Sequence, residues 1–156
     1  SIKWPNDVIL EGRTLCGILT ELELEGETAA LRYVVAGIGI NVHQTAFEGE
    51  IAKTASSLDL LTGRRVCRAD VVRAFLEEYE AVDELAQQGG EALMAVYRRH
   101  SATLGQRVQV ISAAGSFTGT AKAVTDSGSL IVLDDDGRER EVLAADVSVR
   151  GLMGYA

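Results

Sequence analysis

The feature that most constrains the fold is a set of three apolar runs in residues 2–42, separated by short turns that contain glycine. Glu11-Gly12-Arg13 divides the first run from the second, and Glu25-Gly26-Glu27 divides the second from the third. Connections this short join antiparallel strands, because parallel strands need long crossovers. The sequence therefore predicts a three-stranded antiparallel meander at the start of the chain.

A helical region follows the meander. Apolar residues recur at intervals of three and four over residues 68–88, which predicts an amphipathic helix with an acidic outer face. Gly89-Gly90 ends this helix, and residues 91–100 are predicted to form a second one.

From Leu104 onward the pattern changes to short alternating strands such as RVQVI and LIVLD, separated by turns such as Asp-Asp-Asp-Gly. Strands and turns at this spacing are typical of a small barrel or meander. Its one aromatic residue up to Gly151 is Phe117, and it is acidic, unlike barrels that bind nucleic acids or proline-rich peptides. The predicted fold is α+β: an antiparallel or mixed sheet with helices, then a small all-β module.

The composition narrows the class of function. The chain has 15 Lys and Arg against 23 Asp and Glu, a formal charge of −8, which argues against binding to a phosphate backbone. No apolar run approaches the roughly 20 residues that a membrane-spanning helix needs. Cys16 and Cys67 are far apart and have no metal-ligand spacing, so a cytoplasmic protein without disulfide or metal site is expected. His43 and His100 are predicted to be surface or capping residues.

The common catalytic motifs do not occur in the sequence. It has no Gly-x-Ser-x-Gly, no phosphate loop of the Gly-x-x-x-x-Gly-Lys type and no His-Glu-x-x-His. Gly37-Ile38-Gly39 is only a fragment of a dinucleotide-binding fingerprint, since the third glycine and the following helix are lacking.

Three stretches carry the remaining candidates: KWPND, LCGIL and GIGIN, in residues 3–7, 15–19 and 37–41. The meander would place them side by side, so that charges of the first stretch face glycines of the other two. A cleft with a glycine floor and a charged rim suits a flat ligand that bears a carboxylate or phosphate. A second reading stays open, in which the glycines mark bulges and KWPND is a bulged turn.

These three stretches, in this order, resemble the catalytic domain of biotin protein ligases, the biotin–[acetyl-CoA-carboxylase] ligases. The similarity continues through Ala55-Ser56-Ser57-Leu58 and the helices, while LGQRVQV and SVRG look like the family's C-terminal SH3-like module. The resemblance implies a class II synthetase-like catalytic part in residues 1–101 and an SH3-like β-barrel domain in residues 102–156. Lipoate ligases share the fold but not these motifs, so a lipoate-ligase relative is the weaker alternative.

What the resemblance implies is a two-step reaction. Biotin and Mg-ATP form biotinyl-5′-AMP, and a lysine of the biotin carboxyl carrier protein then attacks the activated carbonyl. The implied substrates and cofactors are ATP, biotin and Mg²⁺, without a protein metal site. Both steps pass through concentrated negative charge, so cations and backbone N–H donors matter more than a protein nucleophile.

Site residues follow from the same resemblance, position by position. The biotin-binding residues would be Gly17, Leu19, Gly37 and Gly39, of which the last two also leave room for the adenylate. Asn41 would bind adenine, because an amide donates and accepts hydrogen bonds together.

The KWPND motif supplies the residues expected at the rim. Asp7 would position or deprotonate the incoming lysine, with Lys3 as the second catalytic residue. Asn6 would contribute to nucleotide binding, and Lys3, Trp4 and Asn6 would shape the rim. For Trp4, a role as packing anchor is the alternative.

Two features depart from the family pattern. The family's Gly-Arg-Gly-Arg-type loop, which precedes KWPND there, does not occur in these residues, so the resemblance implies the C-terminal part of a ligase. Thr14 stands where the family usually has a lysine that contacts the biotin carboxylate and the α-phosphate.

These departures leave a second hypothesis open, a non-catalytic remnant that binds an acceptor or partner protein. An exposed sheet edge would favour a homodimer or other self-association. Nothing in the residues indicates a DNA-binding or membrane role.

Overall fold

The computed structural model describes residues 1–26, 28–113, 115–144 and 147–151, without the side chains of residues 50 and 147–150. Contacts divide the chain into two compact units. The first, the sheet unit, is Asn6–Arg65, and the second, the barrel unit, is Ser1–Pro5 together with the described residues from Val66 onward. The predicted α+β class is confirmed. The domain division at residues 101 and 102 stays a prediction.

The sheet unit contains the predicted meander. Its strands are β2 (Asp7–Leu10), β3 (Arg13–Leu24) and β4 (Leu31–Ile40), which pair antiparallel in chain order. A 3-10 turn (Gly49–Lys53) and the short helix α1 (Leu58–Thr62) follow.

The turns of this unit explain where its elements begin and end. Glu11 and Gly12 both have positive φ, 50° and 71°, as a two-residue hairpin turn of type I′ requires. In α1 the Ser57 hydroxyl accepts a hydrogen bond from Leu60 N, and Gly63 ends the helix at φ 66°. The glycine turn thus sets the pairing of Leu10 and Ile9 with β3, and a register shift between Val8 and Ile9 then places Asp7 opposite Gly17.

The barrel unit holds the other elements. They are β1 (Ile2–Lys3), α2 (Arg68–Gln87), α3 (Gly90–His100), β5 (Arg107–Ser112), β6 (Gly115–Val124), β7 (Leu130–Asp134), β8 (Glu139–Val142) and β9 (Val147–Gly151). Strands β5 to β9 form one antiparallel sheet in the order β8-β7-β6-β5-β9, which is the predicted all-β module.

Trp4 lies in the core of the barrel unit, at 1% exposure. Its backbone N–H donates to Thr103 Oγ1 at 2.9 Å, and its Nε1 donates to Gly128 O at 2.9 Å. It packs with seven buried residues of the β module: Val108, Val110, Ala121, Val124, Leu130, Val132 and Val142. The predicted rim role of Trp4 gives way to the alternative, a packing anchor.

The segment beside Trp4 is also fixed to the barrel unit. Ala102 N donates to Ile2 O at 2.8 Å, and the Tyr97 hydroxyl donates to Pro5 O at 3.2 Å. Burial raises the pKa of Tyr97 to about 12, so this hydroxyl keeps its proton. Residues 1–5 therefore contact residues of the barrel unit that follow them by more than 90 positions in the sequence.

Helix α2 forms where the periodicity predicts, but its apolar side is open. Its large apolar residues are 38 to 56% exposed: Val72, Phe75, Leu76, Tyr79 and Val82. None of its residues is buried within the described part of the chain. Periodicity predicts the amphipathic helix, but not which surface covers its apolar side. No helix among the described residues has the length and hydropathy needed to cross a membrane.

An ion pair on the β module gives a pH prediction. Hydrogen bonds from Arg107 and then Thr118 lower the pKa of Asp135 from 3.8 to about 2. A lowered pKa in the folded state means that the carboxylate stabilises the fold above the unfolded value and loses this effect as the pH falls toward 2. We expect Asp135→Asn to flatten the pH dependence of unfolding between about 4 and 2, with Asp136→Asn as control. Urea unfolding across that range tests this, and equal slopes in Asp135→Asn and the parent would contradict it.

Candidate functional site

Five of the predicted site residues share one face of the sheet unit. In the register of β2, β3 and β4, Asp7 lies opposite Gly17, Gly17 opposite Gly39, and Leu19 opposite Gly37. Directly opposed residues of antiparallel strands point to the same side, as do residues two apart on one strand. We call this surface the glycine face.

The backbone conformation does not require glycine at these three positions. None of Gly17, Gly37 and Gly39 has a positive φ, and the register shifts of this sheet lie elsewhere, between Val8 and Ile9 and between Glu23 and Leu24. The bulge reading therefore fails for these glycines.

Nor does crowding require them. A Cβ on Gly37 would lie 3.7 Å from Leu19 O, and one on Gly39 would lie 3.8 Å from Gly17 O, both ordinary contacts. The protein itself would tolerate side chains there. What the glycines provide is an open floor that a ligand can approach closely.

Asp7 places a carboxylate over this floor. A Cβ on Gly17 would lie 3.7 Å from Asp7 Oδ1, so the carboxylate leans across Gly17. Leu19, 67% exposed, supplies an apolar neighbour on the same face. The glycine floor, the apolar side chain and the carboxylate together suit a flat, partly apolar ligand. The Asp7 carboxylate can act as a base toward the reacting group of that ligand.

Cys16 lies on the opposite side of β3 and is buried. Burial, and to a lesser extent the charge of Asp7, raises the pKa of this thiol. A thiol with a raised pKa and little exposure is a poor nucleophile. The candidate site therefore has no cysteine chemistry.

Asn6 ties the start of β2 to the middle of β3. Its Nδ2 donates to Ile18 O, and Ile18 N donates to Asn6 O at 3.1 Å. The side-chain NH2 group of Asn6 is therefore hydrogen-bonded within the sheet unit. A role in nucleotide binding stays a prediction for Asn6, with its Oδ1 as the available atom.

Asn41 follows β4 directly, two residues beyond Gly39. Its backbone N–H donates to Leu15 O at 2.8 Å, and its carbonyl accepts from Leu58 N at 3.0 Å. Within the described residues its side-chain amide has no hydrogen-bond partner. A half-buried amide held by its backbone and open at its side chain can recognise a ligand that donates and accepts.

Thr14 is held by the segment that follows the 3-10 turn. Its N–H donates to Thr54 O at 2.7 Å, and its carbonyl accepts from Ser56 N at 3.0 Å. The motif Ala55-Ser56-Ser57-Leu58 thus lies beside β3, the strand that carries Gly17. Thr14 supplies a hydroxyl and no charge to this strand.

Lys3 is not among the residues that the sheet unit brings together. It belongs to β1 in the barrel unit, beside the buried Trp4. Its catalytic role stays a prediction.

Among the described residues no group of three or more His, Cys, Asp and Glu could hold a metal ion.

One pair near Asn41 was missed by sequence reasoning. His43 Nδ1 lies 2.9 Å from Asp59 Oδ2, and both side chains are 17% exposed. The sequence predicts His43 to be a surface or capping residue, because neither histidine lies in a spaced ligand pair and the partner of His43 is 16 residues away. The one available signal was its position, two residues after the predicted adenine-binding Asn41.

Comparisons with known proteins find similarity to biotin protein ligases. The family profile "Biotin protein ligase C terminal domain" matches residues 103–150. A biotin–[acetyl-CoA-carboxylase] ligase of Mycobacterium tuberculosis is 37% identical over 147 residues, 94% of this chain and 52% of that protein. The "Bifunctional ligase/repressor BirA" of Bacillus subtilis is 30% identical over 95% of this chain and 46% of its own length.

Solved structures give the same result. Biotin protein ligase from Aquifex aeolicus, in complex with biotin and ATP, superposes with a TM-score of 0.78 at 28% identity. The match covers 97% of this chain and 62% of that one. The chain spans about half the length of the curated relatives it matches.

Proposed function

We propose that the chain is the matching part of a biotin protein ligase and that its glycine face binds biotin and biotinyl-5′-AMP during transfer of biotin to a carrier-protein lysine. The observation that carries this proposal is the register that puts Asp7, Gly17, Leu19, Gly37 and Gly39 on one face. A relative with the same fold binds biotin and ATP, as its name states. Residues 103–150, which match the family's C-terminal domain, add the β module.

The proposed chemistry has two steps. A biotin carboxylate oxygen attacks the α-phosphorus of ATP, an O–P bond forms, and pyrophosphate leaves. A lysine amine then attacks the carbonyl of the mixed anhydride, a C–N bond forms, and AMP leaves with the bonding electron pair. The amine must lose a proton in this second step, and Asp7 is the carboxylate placed over the glycine floor to orient the amine and accept that proton.

The other residues act by binding. Gly17, Gly37 and Gly39 let the flat ligand approach the backbone, and Leu19 covers its apolar part. Asn41 holds the adenine through its open side-chain amide, and Asn6 contributes from the start of β2. Mg²⁺ enters with the ATP phosphates, as it commonly does at nucleotide sites. The carrier substrate is the biotin carboxyl carrier protein of acetyl-CoA carboxylase.

The function is tested by ATP- and biotin-dependent labelling of a biotin carboxyl carrier protein. The chain is assayed alone and mixed with the part of the Mycobacterium tuberculosis relative that it does not match. Labelling that needs both ATP and biotin supports the proposal. Its absence in every mixture would overturn the proposal, and labelling with lipoate in place of biotin would point to the lipoate ligases.

Asp7→Asn gives a sharper test of the second step. Loss of general-base assistance is expected to slow biotin transfer about 100-fold, while formation of biotinyl-5′-AMP continues. Both are measured in one reaction, as labelled carrier and as adenylate separated by chromatography. Asp70→Asn, an exposed acid in the first turn of α2, is the control. An equal loss in both steps would show that Asp7 does not act in transfer specifically.

Thr14 favours a second candidate function, an acceptor-binding module without catalysis. Its hydroxyl carries no positive charge that could stabilise the negative charge developing on the phosphate. Titration of the carrier protein without ATP separates the two candidates. A binding module associates with the carrier without nucleotide, and a ligase does so weakly.

Two further expectations stay predictions. They are self-association through a sheet edge, where β4 is the outer described strand, and a cytoplasmic location.

A further inference from the structure

Residues 41–44 lie against the start of α1, and three of their carbonyls accept hydrogen bonds from it. Asn41 O accepts from Leu58 N at 3.0 Å, and Val42 O accepts from Asp59 N at 3.0 Å. The Ser57 hydroxyl donates to Gln44 O at 2.7 Å. We call residues 41–44 the strap.

Burial makes this attachment specific. Val42 is buried, and Ser57 is fully buried with its hydroxyl satisfied by the strap and by the N-cap bond to Leu60 N. A change in the strap would leave these polar groups without partners, which is costly in a buried position. The strap and α1 therefore form one packed piece that begins at Asn41.

His43 and Asp59 join the two sides of this piece through their side chains. The carboxylate can only accept, so the proton lies on His43 Nδ1 and is donated to Asp59 Oδ2 at 2.9 Å. The pair is mostly withdrawn from water, and a hydrogen bond to an ionised acceptor is stronger than a neutral one. Arg65 also approaches Asp59, at 3.5 Å, but its side chain is 75% exposed and contributes little.

We propose that His43 and Asp59 are positioning residues that hold Asn41 for the nucleotide half of the ligand. This inference rests on the proposed function, because it takes the Asn41 amide to bind adenine. That amide has no hydrogen-bond partner within the described residues, so its direction depends on the backbone below it. A backbone fixed before the ligand arrives lowers the entropy cost of binding.

The proposal separates the two halves of the ligand. Biotin would lie on Gly17, Gly37 and Gly39, which β3 and β4 hold through their own hydrogen-bond ladder. Adenine would depend on Asn41, at the junction of β4 and the strap. Loosening the strap should therefore weaken nucleotide binding and leave biotin binding as it was, a split that general destabilisation would not produce.

The test uses the whole chain and three variants. His43→Ala removes the donor, and His43→Asn restores one, because its Nδ2 can reach the place of the imidazole Nδ1. Asp70→Ala, in the first turn of α2, is the control for a substitution outside the strap. Amide hydrogen exchange at Leu58 and Asp59 measures the strap without any ligand. Calorimetric titrations with ATP and with biotin measure the two halves of the site separately.

We expect His43→Ala to speed exchange at both amides and to weaken ATP binding, each about fivefold, the usual effect of one lost hydrogen bond. Biotin affinity should stay within the error of the titration, His43→Asn should recover most of both effects, and Asp70→Ala should change neither. Unchanged exchange in His43→Ala would overturn the proposal, and so would an equal loss of ATP and biotin affinity. If the parent chain binds neither ligand, the positioning role fails, whereas the proposed function fails only if every labelling mixture also stays unlabelled, and the exchange data still show whether the pair holds the strap.

Discussion

Trp4→Ala is expected to lower the free energy of unfolding of the barrel unit by about 4 kcal/mol, as is typical when a large buried aromatic is truncated. Trp4 is 1% exposed and contacts the core of the β module. The variant loses this packing and also leaves Gly128 O without the indole N–H that it accepts from at 2.9 Å.

Guanidinium unfolding followed by circular dichroism measures the effect. Trp4→Phe, which keeps a ring and loses the N–H donor, should lie between the parent and Trp4→Ala. Tyr79→Ala removes an aromatic that is 56% exposed on α2 and should cost less than about 1 kcal/mol. If Trp4→Ala were no more harmful than Tyr79→Ala, the anchor role would be wrong.

Gly119→Ala is expected to cost roughly 3 kcal/mol, at the upper end of what overpacking usually costs. A Cβ on Gly119 would lie 2.4 Å from Leu133 O and 2.6 Å from Val132 Cγ1. Gly119 is in the middle of β6, paired with β5 on one side and β7 on the other, so neither neighbour can move away without breaking the ladder.

The same unfolding assay applies to this variant, with Gly90→Ala as control. Gly90 opens α3, and a Cβ there would meet nothing within 4 Å. Alanine at Gly90 should leave stability unchanged or raise it, because alanine has the higher helix propensity. A Gly119→Ala protein as stable as the parent would show that β7 can shift.

The sequence predicts well what depends on neighbouring residues. The turn at Glu11-Gly12 has its two positive φ values where the glycine indicated a hairpin, and β2, β3 and β4 pair antiparallel in the predicted order. Helix α2 spans Arg68–Gln87, within one residue of the periodicity estimate. The turn alone does not place Asp7 opposite Gly17, because that pairing depends on the register shift between Val8 and Ile9. The roles of Asp7 and the three glycines in binding and catalysis stay predictions.

What the sequence did not predict depends on contacts between distant residues. The Trp4 indole meets Gly128, 124 residues away, and local pattern cannot distinguish a rim tryptophan from an anchor. His43 and Asp59 meet across 16 residues that include the 3-10 turn and the start of α1, a distance over which local pattern does not predict contacts. The apolar side of α2 is a similar case, since periodicity states that a side is apolar but not what covers it.

The burial of Cys16 and Trp4 in different units has a practical consequence. Trp4 is the chain's single tryptophan, so its emission follows solvent entry into the barrel unit alone. Cys67 is exposed and can be blocked first, whereas Cys16 stays protected until the sheet unit opens. Thiol trapping of Cys16 and fluorescence of Trp4 therefore time the opening of the two units independently, in one molecule that carries no substitution.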